Sequence, residues 1–153
     1  DEEETPDDYR ATLAVAAERG LPMVCANPDR LVHRGTKLIW CAGGLADLYE
    51  QLGGPKVIMA GKPYPAIYEL ALREAESLAG KALNPRRVLC IGDGAPTDLL
   101  GANNQNLDVL FVAGGLHGEH VLEPNGGLEA RRLGSWLAGA GVKASSAVPA
   151  LAW

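Results

Sequence analysis

Apolar and polar residues follow two different rhythms along this chain, and the change falls near Gly53–Lys56. In the first part, Thr5-Pro6-Asp7-Asp8 predicts a helix start, with Thr5 as N-cap, Pro6 at the first position and acids at the positive end. The helix is expected from Pro6 to Arg19, with Gly20 stopping it, after a frayed acidic lead-in at Asp1–Glu4. Leu21 to Ala26 reads as a strand, ended by the turn residues Asn27-Pro28-Asp29. A polar loop from Arg30 to Thr36 and a short strand from Lys37 to Cys41 follow. Gly43 to Leu52 then forms a helix closed by Gly53-Gly54.

From Val57 onward the pattern is regular βα alternation. The predicted strands are Val57–Ala60, Arg87–Ile91 and Asp108–Ala113, and the helices between them are Tyr64–Ala79 and Thr97–Gln105. A last helix, from Leu128 to Ala138, follows a glycine-rich loop at Gly114–Gly127. The tail Ala144–Trp153 has little helix signal, and Trp153 either packs on the core or hangs free. Short, uninterrupted apolar runs suggest strands buried on both faces, as in a parallel sheet. The fold class is therefore α/β, with an α/β segment at residues 1–54 and Rossmann-like βα alternation at 55–153. Three strands by themselves leave an apolar sheet edge and faces exposed, which association with another chain or segment would cover.

The chemistry lies where two of these strands end. Val88-Leu89-Cys90-Ile91 runs into Gly92-Asp93-Gly94-Ala95-Pro96-Thr97-Asp98, with glycines for a sharp turn and Pro96 suited to the first helical turn. That puts Asp93 and Asp98 at the C-terminal end of a parallel strand, where open α/β sheets bind ligands. Two neighbouring carboxylates repel unless a cation joins them, and Mg²⁺ is the usual hard partner. The plain alternative is a Gly-Asp turn with a helix-capping acid. Upstream, Val57-Ile58-Met59-Ala60 leads into Gly61-Lys62-Pro63, so Lys62 also follows a strand. Lys62 and Asp93 are expected at one edge of a single parallel sheet, on adjacent strands. A cation beside a metal carboxylate suits a phosphoryl ligand.

Composition narrows the partners. The chain has 153 residues, of which 47% are hydrophobic and 22% charged, as expected of a compact globular domain. Its net charge of −5, with no basic cluster, gives no support to nucleic-acid or anionic-membrane binding. No apolar run approaches a membrane span and no signal peptide opens the sequence. Cys25, Cys41 and Cys90 are odd in number and form no CxxC pair, so reduced thiols in a cytoplasmic protein are expected. His33, His117 and His120 are not placed to make a zinc site or to activate a thiol.

Taken in order, Cys25-Ala26-Asn27-Pro28-Asp29, Gly61-Lys62-Pro63 and Gly92-Asp93 through Thr97-Asp98-Leu99-Leu100-Gly101-Ala102 resemble motifs of the haloacid-dehalogenase-like (HAD) superfamily. The resemblance is to its class II-A phosphatases, which include the nitrophenyl phosphatase and pyridoxal phosphate phosphatase types. Gly61-Lys62-Pro63 matches the third motif, the aspartate segment matches the fourth, and Asn27-Pro28-Asp29 matches a turn of the cap domain. The first motif of that family, Asp-x-Asp, occurs nowhere in this chain. The sequence thus looks like the C-terminal half of a family member, with the end of a cap at 1–54 and the later half of the core at 55–153.

The resemblance implies a Mg²⁺-dependent hydrolase of small phosphorylated metabolites that works through an aspartyl-phosphate. Asp93 would bind the metal directly, while Asp98 would hold metal-bound water or orient the turn. Lys62 would neutralise the nucleophile and the phosphoryl oxygens. Asn27 and Asp29 would contact the leaving group, the alternative being an Asx-type turn bonded to local backbone. Arg30, His33 and Arg34 suit an anionic substrate or simply a solvated loop. Trp40, Trp136 and Tyr64 read as packing residues and Thr97 as a helix cap. The Gly114-Gly115 loop carries no acid or base. A partner is expected in the missing N-terminal half or a second copy, and this chain alone is expected to be inactive. A catalytically inactive interaction module is the other reading.

Overall fold

A computed structural model describes residues 3–34 and 37–152. The chain divides into two compact units, Asp1–Ala66 and Ile67–Trp153. Asp1 and Glu2 of the acidic lead-in, Thr36 of the predicted polar loop, and Trp153 lie outside the described residues, as does the His33 side chain.

In the first unit, a 3-10 turn at Pro6–Tyr9 leads into α1 (Arg10–Glu18). The Thr5 N–H and hydroxyl both donate to Asp8 Oδ2, at 2.7 and 3.0 Å, so the acid three residues on ties down the helix start at Thr5. The helix ends at Gly20, whose φ of +62° suits a residue without a Cβ. Then come β1 (Val24–Cys25), β2 (Leu31–Arg34), β3 (Lys37–Trp40), α2 (Ala42–Gln51) and β4 (Ile58–Met59). Strands β1 and β4 pair in parallel, Cys25 opposite Met59, and β2 and β3 form an antiparallel pair, Leu31 opposite Trp40. Ala17, Cys25, Ala46, Tyr49 and Val57 form the core between α1, α2 and the parallel pair. Fully burying one such aliphatic or aromatic side chain contributes about 1.5–3 kcal/mol. Tyr49 is 1% exposed, and its hydroxyl donates to the Leu21 carbonyl, so its polar tip is not stranded.

Two expectations change here. Leu31–Arg34 is a strand rather than part of a polar loop, because Lys37–Trp40 supplies a complete ladder of partners for it. Val57–Ala60 was expected to share a sheet with Arg87–Ile91. Instead Ile58–Met59 pairs with Val24–Cys25. Lys62 and Asp93 therefore do not follow adjacent strands of one sheet.

The second unit takes up most of α3 (Pro65–Ala79) and continues through β5 (Leu89–Gly92), a π-turn at Ala95–Leu99 and α4 (Leu100–Asn104). β6 (Asp108–Val112), α5 (Gly118–Val121), α6 (Ala130–Gly139) and β7 (Ser146–Val148) complete it. The three strands are parallel in the order β5-β6-β7. Leu99, Ala102, Phe111, Ala113 and Val121 are fully buried at its centre, and Trp136 stacks on Phe111 at 5.5 Å between ring centroids. Sequence pattern did not reveal β7, since Ser146-Ala147-Val148 is short and weakly apolar; the open edge of β6 recruits it. β5 is packed on one face only: Leu89 and Ile91 are 53% and 52% exposed, whereas Cys90 and Gly92 are half-buried. The expected burial on both faces is therefore absent from β5 within this chain.

Candidate active site

The turn after β5 is built by its own second carboxylate. Asp98 Oδ2 accepts hydrogen bonds from the Asp93 N–H at 3.2 Å and the Gly94 N–H at 3.0 Å. The Asp98 and Leu99 N–H groups in turn donate to the Gly94 carbonyl, at 2.8 and 3.1 Å, which winds the chain into the π-turn. Asp98 lies so close to β5 that a Cβ on Gly92 would sit 2.3 Å from its Cγ. Asp98 thus ties together the backbone of the turn that follows β5.

Asp93, half-buried, is held from the next loop. Because β5 and β6 are parallel neighbours, the loops that leave them emerge at the same sheet edge. The Leu116 N–H donates to Asp93 Oδ2 at 3.0 Å, and a Cβ on Gly115 would lie 2.1 Å from that oxygen. His117 Nε2 accepts from the Ala95 N–H at 3.3 Å, with its ring 4.8 Å from that of Trp136. Burial pushes the His117 pKa down, His120 adds to this and the Asp93 charge opposes it, so the neutral, accepting imidazole is favoured. Sequence reading passed over the Gly114-Gly115 loop for want of an acid or base. Its contribution is one backbone N–H, space and an imidazole acceptor. The available signal was its place directly after the strand that neighbours β5.

Asn27, Asp29 and Lys62 lie in the first unit, at the C-terminal ends of the paired strands β1 and β4. Asn27 Oδ1 accepts from the Asp29 N–H at 3.2 Å, the Asx-type turn that stood as the alternative to substrate contact. The Ala60 N–H donates to the Cys25 carbonyl at 2.8 Å and extends the ladder to the two turns. There a Cβ on Gly61 would meet the Ala26 carbonyl oxygen at 2.3 Å and Pro28 Cδ at 2.5 Å, so the Gly-Lys-Pro and Asn-Pro-Asp turns pack in direct contact. Lys62 is exposed beside them. Arg30 forms a two-pronged ion pair with Asp47 on α2, which raises its pKa further. The pair stays exposed, with the Arg30 side chain 65% accessible, so it is an ion pair at the solvated surface of the first unit.

The three thiols are free, and burial raises the Cys90 pKa, which argues against a thiolate nucleophile there. No group of three or more His, Cys, Asp or Glu side chains gathers to hold a metal among the described residues. The donor chemistry at Asp93 nevertheless fits Mg²⁺. Its Oδ2 is anchored by Leu116, and no hydrogen bond among the described residues engages Oδ1, a hard oxygen donor. No described helix is long and apolar enough to cross a membrane.

The HAD-hydrolase-like family model matches residues 59–130, which include Lys62, Asp93 and Asp98. No curated protein matches the chain at significant similarity. Among solved structures, a hydrolase of the haloacid dehalogenase-like family from Brucella suis 1330 is 45% identical, with a TM-score of 0.70; the match covers 99% of this chain and 52% of that one. A double-mutant thermostable NPPase from Geobacillus stearothermophilus is 26% identical over 72% of this chain and 42% of its own, with a TM-score of 0.58. A glycerol phosphate phosphatase from Mycobacterium tuberculosis, in complex with magnesium, is 29% identical over 68% of this chain and 29% of its own, with a TM-score of 0.53. The chain thus spans about half the length of the first of these, and less of the others. In fold and in motif order, the chain belongs to the haloacid-dehalogenase-like (HAD) hydrolase superfamily, within its class II phosphatase branch.

Proposed function

We propose that these residues serve a Mg²⁺-dependent phosphatase of small phosphate monoesters, acting through an aspartyl-phosphate whose nucleophile is not in this sequence. The observation that carries the reading is the Asp93 carboxylate, held at the end of a parallel strand by Leu116 through one oxygen. The magnesium in the glycerol phosphate phosphatase complex supports the choice of cation. When bound, Mg²⁺ would offset the repulsion between an attacking carboxylate and the phosphate.

Asp93 binds the cation and Asp98 keeps the turn in the shape that presents it. Lys62 supplies positive charge to the phosphoryl oxygens, where charge accumulates during transfer. Asn27 and Asp29, beside the Gly61-Lys62-Pro63 turn, contact the leaving group through atoms not used in their own turn. Residues 1–54 serve as the end of a cap and 55–153 as the later half of the core. Three free thiols support a cytoplasmic setting. The missing N-terminal half or a second copy completes the site, with no role for nucleic acid or membrane.

The test is hydrolysis of p-nitrophenyl phosphate by the full-length protein across a Mg²⁺ titration. Turnover should require Mg²⁺, stop on chelation and fall about a hundredfold or more in Lys62→Met. Turnover that is indifferent to chelation, or to loss of Lys62, would overturn the reading.

A further inference from the structure

Leu116, which anchors Asp93, is itself poorly held. It is 66% exposed and follows a glycine pair that contributes no side-chain packing. Backbone bonds fix the start of the loop, from the Gly114 N–H to the Pro149 carbonyl at 2.8 Å and from the Gly115 N–H to the Val112 carbonyl at 3.2 Å. Beyond Leu116 the loop is tied to the aspartate turn by His117. Its ring packs on Trp136 of α6 and its Nε2 takes up the N–H of buried Ala95, two residues past Asp93. The result is a closed circuit. Asp93 accepts from Leu116, His117 accepts from Ala95, and Asp98 accepts from the backbone of Asp93 and Gly94.

We propose that His117 is a positioning residue for the cation site: by pinning its loop to the Ala95 N–H, it fixes Leu116 and so the orientation of the Asp93 carboxylate that would hold the cation. The inference rests on Asp93 being a cation ligand. His117 touches neither metal nor substrate, and acts through Leu116 and Asp93. Partners that orient a metal-ligating carboxylate commonly change metal affinity by about 10–100-fold when lost.

The test uses Mn²⁺ as the probe, its binding to the full-length protein followed by electron paramagnetic resonance without substrate. His117→Phe keeps a ring against Trp136 but has no acceptor, whereas His117→Gln offers an amide oxygen to Ala95. Mn²⁺ affinity should fall about tenfold in His117→Phe and recover most of that loss in His117→Gln. Gly115→Ala places a Cβ 2.1 Å from Asp93 Oδ2, pushes the carboxylate aside and should weaken Mn²⁺ binding with His117 intact. If His117→Phe shows no cooperative unfolding transition, His117→Leu, which also lacks an acceptor for the Ala95 N–H, takes its place with the same tenfold loss expected. The inference is overturned if Mn²⁺ binding is absent in the wild type, unchanged in the variants, or equally impaired by Phe and Gln. If binding follows the expected order while no form hydrolyses p-nitrophenyl phosphate, the phosphatase reading fails and the role of His117 stands.

Discussion

Asp98 accepts the backbone N–H of Asp93 at 3.2 Å, so the later carboxylate shapes the turn that presents the earlier one. The two aspartates therefore differ in kind, and substitutions should separate them. Asp98→Ala leaves the N–H groups of Asp93 and buried Gly94 without an acceptor, a cost of about 1–3 kcal/mol. Asp98→Asn keeps an acceptor and should cost less. Asp93→Asn retains an oxygen for the Leu116 N–H and should leave stability within about 0.5 kcal/mol of wild type. It removes the charge that would hold Mg²⁺, so turnover by the full-length protein should fall sharply. Urea unfolding and Mg²⁺-dependent assays check the pair. Wild-type turnover in Asp93→Asn would refute the assignment.

Glycine substitutions probe the contact between the two turns of the first unit. At Gly61 a new Cβ would strike the Ala26 carbonyl oxygen at 2.3 Å, so backbone must shift and Gly61→Ala should destabilise by about 1–3 kcal/mol. Gly134 in α6 meets nothing within 4 Å, so Gly134→Ala should stabilise by about 0.5–1 kcal/mol through helix propensity. Opposite shifts in the urea midpoint are expected. A neutral Gly61→Ala would mean that the Gly-Lys-Pro turn is looser than its packing indicates.

The site was legible in sequence to the extent that it depends on local pattern. Apolar runs ending in Gly-Asp and Gly-Lys located β5, β4 and the turns that follow them, and Asn27-Pro28-Asp29 announced its own Asx turn. Pairing was not legible. Ile58–Met59 could join any parallel neighbour, and only the folded chain shows that it joins Val24–Cys25. The grip on Asp93 was hidden for a related reason. A backbone N–H from Leu116 has no sequence signature, and an imidazole accepting from Ala95 is a contact between distant segments.

Tyr68 gives a pH dependence with a definite sign. Its hydroxyl packs against the α4 backbone, where a Cβ on Gly101 would lie 2.0 Å away. Burial, then the charges of Cys90 and Asp98, push its pKa from 10.0 up to about 12. Between those values the unfolded chain loses the phenol proton and the folded chain keeps it. The stabilisation is therefore complete below pH 10 and is lost as pH rises through about 12. Urea midpoints for wild type and Tyr68→Phe should diverge in slope over that range, with the wild type falling faster. Parallel slopes would show that the phenol titrates alike in both states.

The last prediction concerns this polypeptide by itself. Its 153 residues contain no Asp-x-Asp, and in the proposed reading none of Lys62, Asp93 and Asp98 is the attacking group. Asp98 Oδ2 is committed to two backbone N–H groups, and one oxygen of Asp93 to a third. A carboxylate that binds the cation lowers repulsion around phosphorus but does not replace the covalent step that splits the reaction in two. The isolated chain should therefore bind Mn²⁺ or phosphate weakly and hydrolyse no p-nitrophenyl phosphate above the buffer rate. The assay needs a sample shown by intact mass to hold no longer species. Turnover that Asp93→Asn abolishes would locate a complete catalytic site within these residues, and another nucleophile among them would then have to be sought.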